Sequence, residues 1–105
     1  MSKKISVIVK DPGKVPRHVY ISDTPANLKQ TVGGDVDEIL IASDLVILCN
    51  RDQTGSPCCN VFGRDFAGTI VFCGIGHKTE DDADELTDIP MNFKQFKQLF
   101  ASLWK

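Results

Sequence analysis

The strongest constraint on the fold of this chain is the run LVILC at residues 45–49, which is apolar at every position. Such a run is typical of a strand that is buried on both faces, so it predicts a central position in a sheet. The run FAGTIVFC at residues 66–73 predicts a second central strand, closed by the glycines within residues 74–76. The polar residues 50–57 are predicted to form a loop, and residues 58–62 a short strand or an irregular segment.

Two apolar runs near the N-terminus predict a β-hairpin. Residues 5–9 (ISVIV) are mostly β-branched and are followed by Asp11, Pro12 and Gly13, which form a turn signal. The next run, residues 15–21, contains Pro16, which places it at a sheet edge because proline cannot donate to a ladder. An exposed edge of this kind could pair with a second copy of the chain, which would give a homodimer.

A short helix is predicted at residues 24–32. Thr24 can cap its first turn, and Pro25 suits the first helical position, where the missing N–H costs nothing. Gly33 and Gly34 end the helix, because glycine adopts the left-handed conformation of a C-terminal cap without steric cost.

A second helix is predicted at residues 92–104. Asn92 caps it, with Gln95 as the capping-box partner. Apolar residues then recur at steps of three and four, and we expect this stripe to cover one face of the sheet. The stripe consists of Phe93, Phe96, Leu99, Phe100, Leu103 and Trp104.

These elements together predict an α+β fold over residues 1–105, with a mostly antiparallel sheet of about five strands packed against the two helices. A chain of 105 residues with 42% apolar residues has room for one core and one domain. The predicted core residues are Ile5, Val7, Val9, Leu28, Val46, Leu48, Ile70, Phe72, Phe96 and Phe100.

Charge and hydropathy exclude several classes of protein. Twelve basic and fourteen acidic residues give a net charge of −2, which argues against a nucleic-acid binder with a clustered basic face. No apolar run approaches the ~20 residues of a membrane span, so no membrane association is expected. Lys10 and Asp11 cut short the first apolar run before it could act as a signal peptide, and a cytoplasmic location is therefore expected.

Residues 77–88 carry six acidic side chains and one large apolar residue, Leu86. This composition predicts a solvated loop. The segment lacks the central glycine and the oxygen spacing of a twelve-residue calcium loop. Mimicry of DNA phosphates is an alternative, although six charges make a small footprint.

The glycine pairs of the chain fit neither a Walker loop nor a dinucleotide fingerprint.

The four cysteines are expected to be reduced thiols, and Cys49 and Cys73 to pack as small hydrophobic residues. A catalytic Cys58 or Cys59 would need His18 or His77 as its base. A zinc site could combine Cys73, His77 and Cys49 with Cys58 or Cys59, but neighbouring cysteines point different ways on an extended chain. A structural role is favoured, and the sequence predicts neither a cofactor nor a metal.

The order of several short motifs is familiar. They are the turn DPGK at residues 11–14, VGG at 32–34, the pair Cys49 and Asn50, the loop residues Gly55, Pro57 and Asn60, and GTIVFCG at 68–74. This order resembles a family of small proteins with a domain of unknown function, found in bacterial genomes, phages and integrative mobile elements. The resemblance implies a fold and a genomic habitat, and no established activity.

Two positions depart from the family pattern. Arg51 stands where family members often carry an acidic residue, and Val61 stands where they often carry an arginine. If that polar pair forms a site in the family, this chain has lost or altered it.

Three functions stay open on the sequence alone. The first is a non-enzymatic binding protein, an accessory protein of a phage or mobile element that acts on a host protein. The second is a protein that binds or sequesters a small ligand in a pocket beside Asn50, Arg51 and Asn60. The third is an enzyme or zinc protein that uses Cys58 or Cys59. These five residues are the candidate binding residues.

Overall fold

The computed structural model describes residues 4–76 and 85–104. In chain order, the elements are β1 (Lys4–Lys10), β2 (Arg17–Ser22), α1 (Pro25–Val32), β3 (Val36–Ala42), β4 (Leu45–Asn50), β5 (Pro57–Val61), β6 (Arg64–Ala67), β7 (Ile70–Gly76), β8 (Glu85–Thr87), α2 (Phe93–Leu99) and a 3₁₀ turn at Ala101–Trp104. The main sheet has the order β2-β1-β7-β4-β3, and β8 pairs with β7. β5 and β6 form a separate hairpin. The strand pairs of both sheets are antiparallel, which confirms the predicted α+β class.

Each face of the main sheet is covered by a different helix. On one face, which we call the α1 face, Leu28 and Val32 of α1 are buried against the sheet. On the other, the α2 face, the buried groups are Phe96 of α2 with Phe100 and Leu103 after it. Because β4 and β7 lie inside the sheet, all six residues of β4 are buried. This confirms the central position predicted for residues 45–49.

The predicted core is confirmed, since each of its residues is buried. The predicted N-terminal hairpin is also confirmed, with β2 at an edge of the sheet. The dimer through that edge stays a prediction. The first helix begins as predicted, with the N–H of Asn27 donating to Thr24 Oγ1 at 3.2 Å, and ends at Gly33, whose φ is +83°.

The prediction of one strand over residues 66–73 is wrong. The chain belongs to β6 up to Ala67 and to β7 from Ile70. Gly68 lies between them with a φ of +76°, and its N–H donates to the carbonyl of Ser56 at 2.8 Å. The apolar character of residues 66–67 and 70–73 hides this break, because the end of β6 and the start of β7 read as one run.

The predicted strand end at residues 74–76 is also wrong, because β7 continues through Gly76. Gly74 has a packing role there. A side chain at this position would collide with the carbonyl oxygen of Asp88 and with Thr87 Oγ1. The glycine therefore allows the segment after β8 to pass close to β7.

The predicted second helix is shorter than expected. Its capping box is confirmed, with Asn92 Oδ1 accepting from the N–H of Gln95 at 2.8 Å. The α-helix ends at Leu99, and a 3₁₀ turn follows. The apolar stripe is wrong at two positions, since the side chains of Leu99 and Phe93 are 66% and 37% exposed.

The acidic segment at residues 77–88 falls partly outside the described residues. Glu85–Thr87 form β8, so the prediction of a loop is wrong there. Leu86 is buried in the α1-face cluster, and Asp88 Oδ1 accepts from the N–H of Ser6 at 2.8 Å. The acidic residues at 80–84 lie outside the described part of the chain.

None of the helices within residues 4–76 and 85–104 has the length and apolar character needed to cross a membrane.

We expect Phe96→Ala to lower the free energy of unfolding by about 3–5 kcal/mol. The ring of Phe96 is fully buried, with its centroid 4.9 Å from that of Phe72 and 4.6 Å from that of Phe100. Leu99→Ala on the same helix is the control and should change stability by no more than about 0.5 kcal/mol. Urea denaturation measures both values, and similar losses in the two variants would contradict the assignment of the buried face.

Candidate functional site

The hairpin β5–β6 lies on the α2 face of the main sheet. Val61 and Phe66 anchor it there, since both are buried in the α2-face cluster. At the tip, the ring of Phe62 lies 5.6 Å from that of Phe100, centroid to centroid. The hairpin thus forms a second layer over part of the sheet.

A cleft of about 640 Å³ opens between this hairpin and the loop at residues 51–56. The residues that line it come from the loop and both strands: Gln53, Pro57, Cys58, Cys59, Asn60, Asp65, Phe66 and Ala67. We call this the hairpin cleft. Three of the five predicted site residues, Cys58, Cys59 and Asn60, therefore line one cleft.

Gln53 fixes the loop to the hairpin. Its Nε2 donates to the backbone carbonyl of Asn50 at 2.8 Å, and its Oε1 accepts from the N–H of Ala67 at 2.9 Å. Its backbone has a φ of +52°, in the left-handed region that non-glycine residues rarely adopt. The two side-chain hydrogen bonds hold this conformation, so one wall of the cleft is formed in advance.

Two glycines let the loop cross the segment between β6 and β7. A side chain at Gly68 would meet the carbonyl oxygen of Thr54 at 2.7 Å, and one at Gly55 would meet Gly68 Cα at 3.2 Å. Both glycines have positive φ, +108° at Gly55 and +76° at Gly68. The loop and the break between β6 and β7 are therefore shaped by the same close contact.

Asn50, a predicted site residue, has a structural role. It is buried, and its Nδ2 donates to Thr54 Oγ1 at 2.8 Å and to the carbonyl of Gly33 at 3.1 Å. Its Oδ1 accepts from the N–H of Asp52 at 2.9 Å. The side chain thus joins the end of α1 to the loop and leaves little capacity for a ligand.

Arg51 lies away from the cleft. It is exposed, and its guanidinium donates to the carbonyl of Val36 at 3.3 Å. Among the described residues, those that line the hairpin cleft include neither Arg51 nor Asn50. The structure therefore does not bring all five predicted binding residues together.

Asn60 closes the hairpin. Its Nδ2 donates to Asp65 Oδ1 at 2.9 Å, and its Oδ1 accepts from the N–H of Gly63 at 3.0 Å. It also lines a smaller cleft of about 230 Å³, together with Lys10, Cys58, Cys59, Ser102 and Leu103. We call this the lysine cleft.

A bulge in β5 places Cys58 and Cys59 on the same side of the strand. Pro57 pairs with Ala67 and Cys59 with Phe66, so Cys58 is an extra residue in the ladder. On a regular strand, neighbouring side chains point to opposite faces, and a bulge interrupts that alternation. Both thiols pack against the α2-face cluster and both line the two clefts.

The bulged thiols differ in acidity because they contact each other. The pKa of Cys58 is lowered, mainly because the Cys59 thiol donates a hydrogen bond to it, while partial burial opposes the shift and Lys10 assists it. The same hydrogen bond, with burial, raises the pKa of Cys59. When neutral, Cys58 can instead donate to the carbonyl of Lys10, which lies 3.5 Å away.

The other two cysteines are core residues, as predicted. Both are free and buried, and burial raises the pKa of Cys49 and raises that of Cys73 to about 12. Cys49 belongs to the α2-face cluster and Cys73 to the α1-face cluster. Because the sheet separates them, the zinc set that combined Cys49 with Cys73 is wrong.

The histidines give no catalytic pair within the described part of the chain. His18 contacts Ser6 Oγ and the rings of Tyr20 and Phe93. His77 lies outside the described residues. Across residues 4–76 and 85–104, no group of three or more His, Cys, Asp or Glu side chains is placed to hold a metal ion.

Three residues that complete the two clefts, Gln53, Asp65 and Lys10, were not predicted from the sequence. Gln53 sits in the polar loop, and Asp65 in a strand too short to stand out from its turn. Lys10 ends an apolar strand, and a lysine there is ordinarily solvated. The unusual pairing of Cys58 and Cys59 was the signal that marked this region, but it did not identify their neighbours.

We expect Asn50→Ala to lower the free energy of unfolding by about 1–3 kcal/mol, because it leaves the carbonyl of Gly33 and the N–H of Asp52 without their partner. Arg51→Ala is the neighbouring control and should change stability by about 0.5 kcal/mol or less, since that side chain is exposed. Chemical denaturation compares the two. An Asn50→Ala variant as stable as Arg51→Ala would contradict the structural role.

Comparison with known proteins assigns the family. A family model described as a domain of unknown function (DUF3846) matches residues 4–101, which is nearly the whole chain. No curated protein and no solved structure matches it. The motifs that carried the resemblance are the residues that shape the site, since Gly33, Asn50, Gly55 and Gly68 hold the loop in place. The chain belongs to the DUF3846 family of domains of unknown function.

Proposed function

We propose that this protein is a non-enzymatic binding protein that takes a small organic ligand in the hairpin cleft. The observation that carries this proposal is the cleft itself. Its volume of about 640 Å³ falls within the range of roughly 300–1,000 Å³ that is usual for ligand pockets. The cleft is lined by Cys58, Cys59 and Asn60, which the sequence analysis selected for their unusual order.

The lining indicates the chemistry of the ligand. Pro57, Phe66 and Ala67 supply an apolar wall. The side chains of Gln53 and Asn60 make hydrogen bonds inside the protein, so they hold the cleft open and bind the ligand little. Asp65 gives one carboxylate oxygen to Asn60 and has further capacity to accept hydrogen bonds. We therefore infer a ligand with an apolar body and a hydrogen-bond donor.

The biological setting is also part of this proposal. We place the protein in the cytoplasm of a bacterium, as an accessory protein of a phage or mobile element. This setting is supported by the order of the short motifs, which resembles that of such families.

The cleft is tested by a substitution that fills it. We expect Ala67→Leu to lower affinity for a cleft ligand by about tenfold or more, which is about 1.4 kcal/mol. Ala42→Leu is the matched control, because it makes the same change at an exposed strand position outside the cleft. Native mass spectrometry of protein purified without chelator identifies any ligand that copurifies. NMR titration with a library of small fragments then measures affinity for each variant.

In that titration, shifts should cluster at Gln53, at residues 57–60 and at residues 65–67. No copurified mass together with shifts scattered over the surface would overturn the small-ligand function. If Ala42→Leu and Ala67→Leu lower the affinity for the ligand equally, the ligand binds outside the hairpin cleft.

A second candidate function is binding of a protein partner at the hairpin tip. Phe62 favours it, since its side chain is 75% exposed while its backbone has a φ of +50°. A bulky residue in that conformation costs on the order of 1–2 kcal/mol and is normally replaced by Asn or Gly. An exposed aromatic ring at a strained backbone position indicates a role in binding another molecule rather than in stabilising the fold.

We expect Phe62→Asn to leave the free energy of unfolding within about 1 kcal/mol of the starting protein, because relief of backbone strain offsets the lost contact with Phe100. The same variant should lose binding to a host protein. Pull-down from a bacterial lysate measures binding, with Leu40→Asn, on the exposed edge strand β3, as the control. Retention of the partner by Phe62→Asn would contradict this function.

A further inference from the structure

Lys10 is a buried cation at the end of β1. It is only 4% exposed, whereas lysine is almost never fully buried in proteins unless it is paired. Its Nζ donates to the backbone carbonyl of Asp11 at 2.8 Å, which is a neutral acceptor. An ammonium group can donate three hydrogen bonds. The Asp11 carbonyl therefore uses only part of the hydrogen-bonding capacity of Lys10 and none of its charge.

The charge of Lys10 also lacks a carboxylate partner in the part of the chain that the structure describes. The side chain of Asp11 is engaged elsewhere, with Oδ1 accepting from Thr69 Oγ1 at 2.7 Å and Oδ2 lying 3.3 Å from Arg17 Nη2. Among the described residues, no carboxylate oxygen lies within 4.0 Å of Lys10 Nζ. A charge taken out of water without an opposite charge is costly, so an anion that reached Lys10 would be bound.

The lysine cleft gives an anion a route to Lys10 and places two neutral donors beside it. Ser102, which lines the cleft, is exposed and carries a hydroxyl group. Asn60, on another wall, gives one of its two Nδ2 hydrogens to Asp65 and has a second to donate. The cleft therefore combines one cation with two hydrogen-bond donors.

The backbone of Lys10 is held to the hairpin that forms the opposite wall. Cys58 Sγ donates to the carbonyl of Lys10 at 3.5 Å, which joins β5 to the end of β1. Cys58, Cys59 and Leu103 also line the cleft, and thiols and leucine are apolar groups. The site is thus polar at Lys10 and apolar beside it.

The size and charge of the cleft select the kind of anion. Its volume of about 230 Å³ corresponds to roughly eight water molecules at about 30 Å³ each, so the ligand is small. Among the described residues that line it, only Lys10 is charged. A single positive charge is balanced by a monoanion, whereas a phosphate dianion would bring a negative charge without compensation.

We propose that the lysine cleft binds a small aliphatic monocarboxylate, with Lys10 as the counter-charge of the carboxylate group. Ser102 and Asn60 donate hydrogen bonds to the carboxylate oxygens, and Leu103 contacts the short alkyl chain. This site is separate from the one proposed for the hairpin cleft, because it depends on Lys10 and does not require the ligand of that cleft.

The first test uses the folded full-length protein and two probes of the same shape. NMR titration at constant ionic strength compares butyrate with butyramide, which carries no charge. We expect butyrate to bind at least about tenfold more tightly, since only the anion compensates the charge of Lys10. The shifts should cluster at residues 10, 58–60 and 102–103. Equal affinities, or shifts confined to other residues, would overturn the proposal.

Inorganic phosphate is the third probe, and it tests the selection of a monoanion. We expect it to bind at least about tenfold more weakly than butyrate, because it brings a second negative charge and no alkyl chain. Phosphate that binds as tightly as butyrate would overturn the assignment to a monocarboxylate.

The second test removes the charge of Lys10. Lys10→Met keeps an unbranched side chain, and we expect it to lower the affinity for butyrate by about tenfold or more. Lys14→Met is the matched control, because it removes the same charge at an exposed position of the neighbouring turn, and it should keep the affinity within about twofold. Equal losses in the two variants would mean that net charge attracts butyrate, and would overturn the role of Lys10.

A further variant keeps the test decisive if Lys10→Met does not fold. Ser102→Ala changes an exposed residue, so it should leave the fold intact. We expect it to lower the affinity for butyrate several-fold, because it removes one donor to the carboxylate. An affinity equal to that of the starting protein would place butyrate outside the lysine cleft.

These outcomes are distinguishable from those of the proposed function. Butyrate should shift residues 10 and 102–103, whereas a ligand of the hairpin cleft should shift residues 53 and 65–67. Ala67→Leu fills only the hairpin cleft and should leave the affinity for butyrate unchanged. A protein that binds butyrate at Lys10 and no fragment in the hairpin cleft would keep this inference and lose the small-ligand function, and the opposite result would do the reverse.

Discussion

The site of this protein depends on one buried amide, the side chain of Asn50. An amide out of water must have hydrogen-bond partners, and Asn50 finds them in the end of α1 and in the loop that follows β4. The side chain fits only because Gly34 has no Cβ, which would come within 2.6 Å of Nδ2. The helix end, the end of the central strand and the loop are thus fixed together, and the loop supplies one wall of the hairpin cleft.

The second constraint is the crossing of Gly55 and Gly68. Their close backbone contact turns the chain out of the hairpin and into β7, so that β5 and β6 lie over the α2 face while β7 enters the main sheet. Without this turn, residues 66–73 would continue as one strand and the hairpin would have no layer to pack on. The cleft therefore exists because a central strand begins four residues later than its apolar pattern indicates.

The sequence was a good guide wherever burial alone decides the structure. Residues 45–49 and the stripe positions Phe96 and Phe100 are buried as their pattern predicts. It failed where backbone geometry decides: the break at Gly68, the change from α-helix to 3₁₀ turn after Leu99, and the bulge at Cys58. The predicted binding residues were divided for the same reason. Cys58, Cys59 and Asn60 follow one another in a strand, whereas the side chain of Asn50 is engaged by hydrogen bonds to the end of α1 and to its own loop.

The bulge in β5 and the buried charge of Lys10 are linked electrostatically. A lysine enclosed by protein and bonded to a neutral carbonyl lacks compensation for its desolvated charge. Both thiols of the bulge line the cleft that Lys10 lines. The pKa of Cys58 is lowered by its hydrogen bond with Cys59 and by the charge of Lys10, and it is raised by burial and by the Asp11 carboxylate.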